Sequence, residues 1–121
     1  MTGEAPAPGE RAPHVIRLRG PWTDEAGRRV KLPAAWRDAL GDAESAVLRR
    51  RFNRPTNLDA GEAVRLLVES PQRIEALLLN TSPVASGDDL AAKLADSNEL
   101  TVRLARAEPG GVVLEARLEI G

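Results

Sequence analysis

Apolar and polar residues alternate most strictly at the end of this chain. Over 112–120, Val112, Leu114, Ala116, Leu118 and Ile120 share one phase, and Val113, Glu115, Arg117 and Glu119 the other. A period of two is the signature of a strand with one buried face. A second strand over 99–105 precedes it, and the Pro109-Gly110-Gly111 turn between them predicts a hairpin. Upstream, 46–52 alternates with Ala46, Leu48, Arg50 and Phe52 inward against Val47, Arg49 and Arg51 outward. In 63–69, Val64, Leu66 and Val68 point inward and Arg65 outward. A further strand over 74–80 ends at Asn80-Thr81-Ser82-Pro83. Near the start, 15–18 is a short strand stopped by Gly20-Pro21, and 29–32 is an extended piece running into Pro33. These phases select Phe52, Leu66, Leu78, Val102, Leu114 and Leu118 for the core.

Helical signals are few. Residues 34–40 allow one or two turns ended by Gly41, and 88–94 is the best helix candidate, with Asp88 or Asp89 placed to cap it. Six or seven short strands separated by turn signals predict an all-β, antiparallel β-sandwich or jelly roll with one or two short helices. Residues 1–13 are Gly, Pro, Ala and Glu without hydrophobic period, which predicts a disordered N-terminal tail ahead of one domain over 14–121.

Charge and composition narrow the chemistry. The chain has 121 residues, a net charge of −1 and no Cys. That balance provides no whole-molecule field for nucleic acid or an anionic membrane, so neither is expected as a partner. Without Cys there is no disulfide and no thiolate metal site. The first residues form no apolar signal-peptide core and no stretch is long enough to span a bilayer, so a cytoplasmic location is expected.

Five segments carry a family likeness. They are Leu18-Arg19-Gly20-Pro21-Trp22, Leu32-Pro33-Ala34-Ala35-Trp36, Leu48-Arg49-Arg50-Arg51-Phe52 with Asn53-Arg54-Pro55, Leu77-Leu78-Leu79-Asn80, and Asn98-Glu99-Leu100-Thr101-Val102. In this order, and with the intervening Asp89-Leu90 and Leu94, the chain resembles the N-terminal sugar-binding-like domain of glycoside hydrolase family 2 enzymes, a jelly roll of the galactose-binding-domain-like type. Leu48 departs from the usual aromatic before the Arg pair, Thr81 stands in place of Gly after Asn80, and the loop before the Asp segment is reduced to Ala85-Ser86-Gly87. The resemblance implies packing roles for Trp22, Trp36 and Phe52. It also implies that the catalytic barrel with its two glutamates lies elsewhere.

The residues themselves supply no reaction. The acids fall in turns or on outward strand positions, His14 is alone, and no Gly-rich phosphate loop joins a strand to a helix. No catalytic residue, metal ligand or cofactor is therefore assigned, and the chain is read as a non-enzyme. Arg49, Arg51, Arg65, Arg103 and Arg117 face Glu69, Glu75, Glu99, Glu115 and Glu119 on comparable positions, which predicts cross-strand ion pairs. Arg50, on the inward phase, needs a carboxylate or several carbonyls, with Asp59, Glu62 or Asp89 as candidates. The candidate ligand-binding residues are Arg51, Asn53, Arg54, Asn57 and Asn80. They sit at strand ends and loops and can grip vicinal hydroxyls; the competing role of the three Asn is turn formation. The resulting expectation is a non-catalytic binding module, for a carbohydrate or as accessory to a separately encoded glycosidase. The alternative is a protein–protein interaction or structural module that keeps the fold without binding sugar.

Overall fold

The computed structural model describes residues 14–56, 58–59 and 61–121; the expected tail over 1–13 and the candidate Asn57 lie outside the described residues. In chain order the elements are β1 (His14–Arg17), β2 (Trp22–Thr23), β3 (Arg29–Val30), α1 (Trp36–Leu40), β4 (Ser45–Asn53), β5 (Val64–Glu69), β6 (Arg73–Leu79), β7 (Ser82–Pro83), β8 (Ser97–Ala105) and β9 (Glu115–Ile120). One turn of 3-10 helix at Ala91–Lys93 stands between β7 and β8. The strands form two antiparallel sheets, a small one of order β1-β9-β5 and a large one of order β3-β2-β4-β8-β6-β7. The expected β-sandwich is thus the observed fold.

Alternating side chains from both sheets meet in the core. From the large sheet come Trp22, Leu48, Leu100, Val102 and Leu104; from the small one Val64, Leu66 and Leu118, all essentially inaccessible. The register explains the match: Leu48 lies opposite Val102 and Leu66 opposite Leu118, so apolar phases coincide across each ladder. Both indoles are fully buried without leaving a donor unpaired. Trp22 Nε1 donates to the Leu18 carbonyl at 2.9 Å and Trp36 Nε1 to the Ala43 carbonyl at 2.8 Å.

Four sequence expectations are corrected. The first is the hairpin. β8 lies between β4 and β6 in the large sheet, whereas β9 is the central strand of the small sheet. The Pro109-Gly110-Gly111 segment therefore crosses the sandwich instead of turning back on its own sheet. The alternation breaks where the chain changes sheet: Val112 is 37% exposed and Val113 fully buried. Val113 is held there by its amide, which donates to the Ala34 carbonyl at 2.8 Å.

The second is the phase of β6. Its register shifts between Ile74 and Ala76. A bulge places one extra residue on one strand and so swaps the buried phase. Beyond it Leu77 and Leu79 are buried opposite Val102 and Leu100, and Leu78 is only half-buried, as is Phe52. The third is the helix over 88–94, which contracts to the 3-10 turn because Leu90 and the residues before it run along β5. The Leu90 amide donates to the Val64 carbonyl at 2.7 Å and the Gly87 amide to the Leu66 carbonyl at 2.6 Å. The open edge of β5 is thereby covered. The fourth is the partner of Arg50. Its Nε donates to the Arg19 carbonyl at 2.8 Å and a terminal N–H to the Arg51 carbonyl. Of the expected carboxylates, Glu62 instead accepts from the Asp59 amide, and Asp89 from the amides of Val64 and Ala91.

The crossing segment is tied down by one buried amide. Gln72 Oε1 accepts the amides of Ala107 and Glu108, both at 2.8 Å, and its Nε2 donates to the carbonyls of Glu108 at 2.7 Å and Val112 at 3.0 Å. The Ser70 hydroxyl donates to the Val113 carbonyl at 2.6 Å and accepts the Gln72 amide. The segment in turn caps α1, which has no side-chain cap: the Trp36 and Arg37 amides donate to the carbonyls of Gly111 and Pro109. Those amides would otherwise be orphans of the first helical turn.

Three substitutions test this packing. Gln72→Leu removes at once the partners of several backbone groups in the crossing segment and lowers unfolding free energy by about 2 kcal/mol or more. Leu118→Ala, deep in the small sheet, costs about 2–5 kcal/mol. Leu78→Ala, on the outward phase, costs clearly less than Leu118→Ala. Urea unfolding of the three variants measures all of these, and equal losses at Leu78 and Leu118 would contradict the phase assigned to β6.

Candidate functional site

The end of β4 and the start of β8 form one rim of the sandwich, with Arg51 opposite Glu99 and Asn53 opposite Ser97. The turn after β6 reaches the same rim, because the Asn80 amide donates to the Glu99 carbonyl at 2.9 Å. Arg51 and Asn80 therefore share a shallow hollow of about 420 Å³ with Thr81, Ser97, Asn98 and Glu99. Arg51 and Asn53 share a neighbouring one of about 350 Å³ with Ile16, Arg17, Leu18, Arg50 and Phe52. Arg54 joins neither hollow.

Several of these side chains already have work inside the fold. Asn80 takes a left-handed backbone (φ 49°) in its turn. Its Oδ1 accepts the Glu99 amide at 2.8 Å and its Nδ2 donates to Asn98 Oδ1 at 2.9 Å. Asn98 is buried and closes the loop before β8 by accepting the Ala95 amide at 2.8 Å and donating to the Ala95 carbonyl at 2.9 Å. Arg54 donates to the carbonyls of Leu94 at 3.3 Å and Ala91 at 3.4 Å, so it braces the 3-10 turn. Arg51 lies 3.6 Å and Arg49 3.9 Å from the Glu99 carboxylate, as cross-strand pairing predicts. On the small sheet Arg117 binds Glu69 at 2.6 Å and Glu119 at 3.0 Å. Of the described candidates, Asn53 makes no side-chain hydrogen bond to a described residue, and Arg51 pairs at the rim only with the Glu99 carboxylate.

A larger hollow, of about 560 Å³, lies away from these residues, between β3 and α1. Arg19, Gly20, Arg29, Val30, Lys31, Leu32, Pro33, Ala34, Asp38 and Ala39 line it. Its geometry starts from local alternation: Val30 and Leu32 are buried, whereas Arg29, on the edge strand β3, and Lys31, just after it, are exposed. Gly20 brings Arg19 against that strand. The Gly20 amide donates to the Leu32 carbonyl, and a Cβ at Gly20 would stand 2.9 Å from the Lys31 Cα. Sequence reading did not select this hollow. The Arg29-Val30-Lys31-Leu32 alternation was a visible signal, but only folding sets Arg19 beside it.

The acids with shifted affinities are structural. The amides of Ala91 and Val64, followed by the charge of Arg65, hold the Asp89 carboxyl below the usual aspartate range. The Arg28 amide does the same for Asp24, helped by the Arg28 guanidinium. Hydrogen bonds to Glu69 and Glu119 raise Arg117. A general acid needs the opposite shift. Among the described residues, no group of three or more His, Cys, Asp or Glu is placed to hold a metal ion.

No protein-family model and no curated protein matches the chain. Among solved structures it is similar to the FMN-binding beta-glucuronidase from Facaelibacterium prausnitzii L2-6, with a TM-score of 0.67 and 19% sequence identity. The likeness covers 89% of this chain and 23% of the beta-glucuronidase chain. At that identity the shared property is the fold.

The Asp89 carboxylate gives a pH-dependent outcome. Its lowered pKa makes a contribution to stability that is present above the ordinary aspartate value and is lost as pH falls through the folded-state value. Asp89→Ala is therefore less stable than the parent at neutral pH, and the difference narrows as the pH falls below the ordinary aspartate value. Urea midpoints measured across that range check it; a gap that stays constant contradicts the assignment.

Proposed function

We propose that the chain is a non-catalytic β-sandwich module related to the glycoside hydrolase family 2 sugar-binding-like domain, working by binding beside a glycosidase catalytic unit. The carrying observation is the asymmetry of the structural likeness: it takes in 89% of this chain but 23% of a beta-glucuronidase. Glycoside hydrolysis needs an acid with a raised pKa and a second carboxylate across a cleft. The shifted carboxylates here, Asp24 and Asp89, are instead held anionic by backbone amides. The working location proposed with this reading is the cytoplasm, and the proposed partner is a saccharide or the glycosidase itself.

A second reading, a protein-interaction module that binds no sugar, has its own support. Saccharide sites commonly stack a ring on an aromatic face. Trp22 and Trp36 are both fully buried, and Phe52, which lines the rim hollow, is half-buried, so the rim presents only one partly covered aromatic among the described residues. Asn80 and Arg54 are likewise spent on neighbouring backbone.

The purified chain is expected to turn over no aryl glucuronide or aryl galactoside; turnover abolished by changing one carboxylate would overturn the non-catalytic reading. Calorimetry with saccharides at millimolar concentration separates the two binding roles. If a sugar binds at the rim, Arg51→Ala and Asn53→Ala weaken it with the urea midpoint unchanged. Silence towards every sugar, together with a stable complex with a co-expressed glycosidase, favours the interaction module.

A further inference from the structure

The hollow between β3 and α1 is rich in cations. Arg19, Arg29 and Lys31 line it together with one carboxylate, Asp38. Several exposed cations elsewhere are matched: Arg28 binds Asp24, Arg49 and Arg51 face Glu99, and Arg117 lies between Glu69 and Glu119. None of the three cations in the hollow forms a salt bridge with a described carboxylate. On a chain of net charge −1, this is a local concentration of positive charge in a concave surface.

The hollow is also built rather than incidental. Arg29 of β3 and Lys31 just beyond it alternate with Val30 and Leu32, which are buried in the core. Arg19 is fixed from both sides: its carbonyl accepts the Arg50 Nε at 2.8 Å, and the following Gly20 packs backbone to backbone on Lys31. Pro33, Ala34 and Ala39 supply a small apolar wall beside the charges. Guanidinium groups pair with planar carboxylates through two parallel hydrogen bonds, and an ammonium adds an undirected charge. An apolar wall next to them suits the C–H face of a pyranose ring.

Resting on the accessory-module reading above, we infer that this hollow binds the carboxylate of a uronate-bearing saccharide, with Arg29 and Lys31 as the principal contacts and Arg19 closing the site. A saccharide is favoured over a nucleic acid by the apolar wall of Pro33, Ala34 and Ala39, which suits a pyranose ring.

The test is calorimetry of the full chain with trigalacturonate, with neutral cellotriose and single-stranded DNA as comparison probes. Trigalacturonate binds, cellotriose does not occupy this hollow, and affinity falls as salt rises because the charges are exposed. Losing hydrogen bonds to an ionised group is worth about tenfold or more in affinity, so Arg29→Ala with Lys31→Ala weakens trigalacturonate at least that far. Both residues are exposed, and an unchanged urea midpoint verifies that the variant folds. Arg103→Ala, a cation outside the hollow, leaves binding unaltered. Absence of trigalacturonate binding, equal binding by the double variant, or equal binding of DNA would each overturn the assignment. Binding of cellotriose without trigalacturonate would overturn it while leaving the accessory-module reading standing.

Discussion

The sandwich depends on a chain crossing that a single buried side chain makes possible. Between β8 and β9 the backbone must leave the large sheet and enter the small one. A segment that crosses between sheets cannot satisfy its own polar groups by a ladder, and unsatisfied buried groups are costly. Gln72 resolves this by offering both ends of its amide, accepting from Ala107 and Glu108 while donating to Glu108 and Val112. Ser70 fixes the exit at Val113. With the crossing held, β9 can sit between β1 and β5, and its apolar face meets the large sheet.

The same economy recurs at the other boundaries of the fold. α1 has no side-chain cap, and the carbonyls of Gly111 and Pro109 take its first amides. The edge of β5 is covered by residues 86–90, with Asp89 Oδ1 accepting the Val64 amide and Ser86 Oγ accepting that of Val68. Asn80 and Asn98 join the turn after β6 to the start of β8. Polar side chains that look like ligand contacts in a linear sequence are here consumed in closing the backbone.

This economy bears on function. The rim expected to hold a ligand retains Arg51 and Asn53, with shallow hollows beside them. The larger hollow lies at the opposite kind of place, along an edge strand, and is cationic. A module of this sort acts through which surface it presents, and the rigid β3 segment presents charge without needing a mobile loop.

Much of the fold was legible in the sequence because period-two alternation directly reports which residues share a sheet face. Leu66, Val102, Leu114 and Leu118 were identified as core on that ground and are buried, whereas Phe52 and Leu78 are half-buried. Alternation reports a face, not a sheet. It could not separate a β8–β9 hairpin from a crossing, because both place Leu118 and Val102 inward. Nor could it locate the bulge at Ile74 and Ala76, which moves the buried phase from Leu78 to Leu77 and Leu79. Site chemistry was less legible still. Whether Asn80 or Arg54 is available to a ligand depends on which backbone groups lie across from it, and those are brought near only by the folded chain. The sequence alone determined two apolar-lined antiparallel sheets, through the alternation of its strands. Tertiary structure decided the sheet to which each strand belongs and the cations that gather in one hollow, because both depend on contacts between residues far apart in the chain.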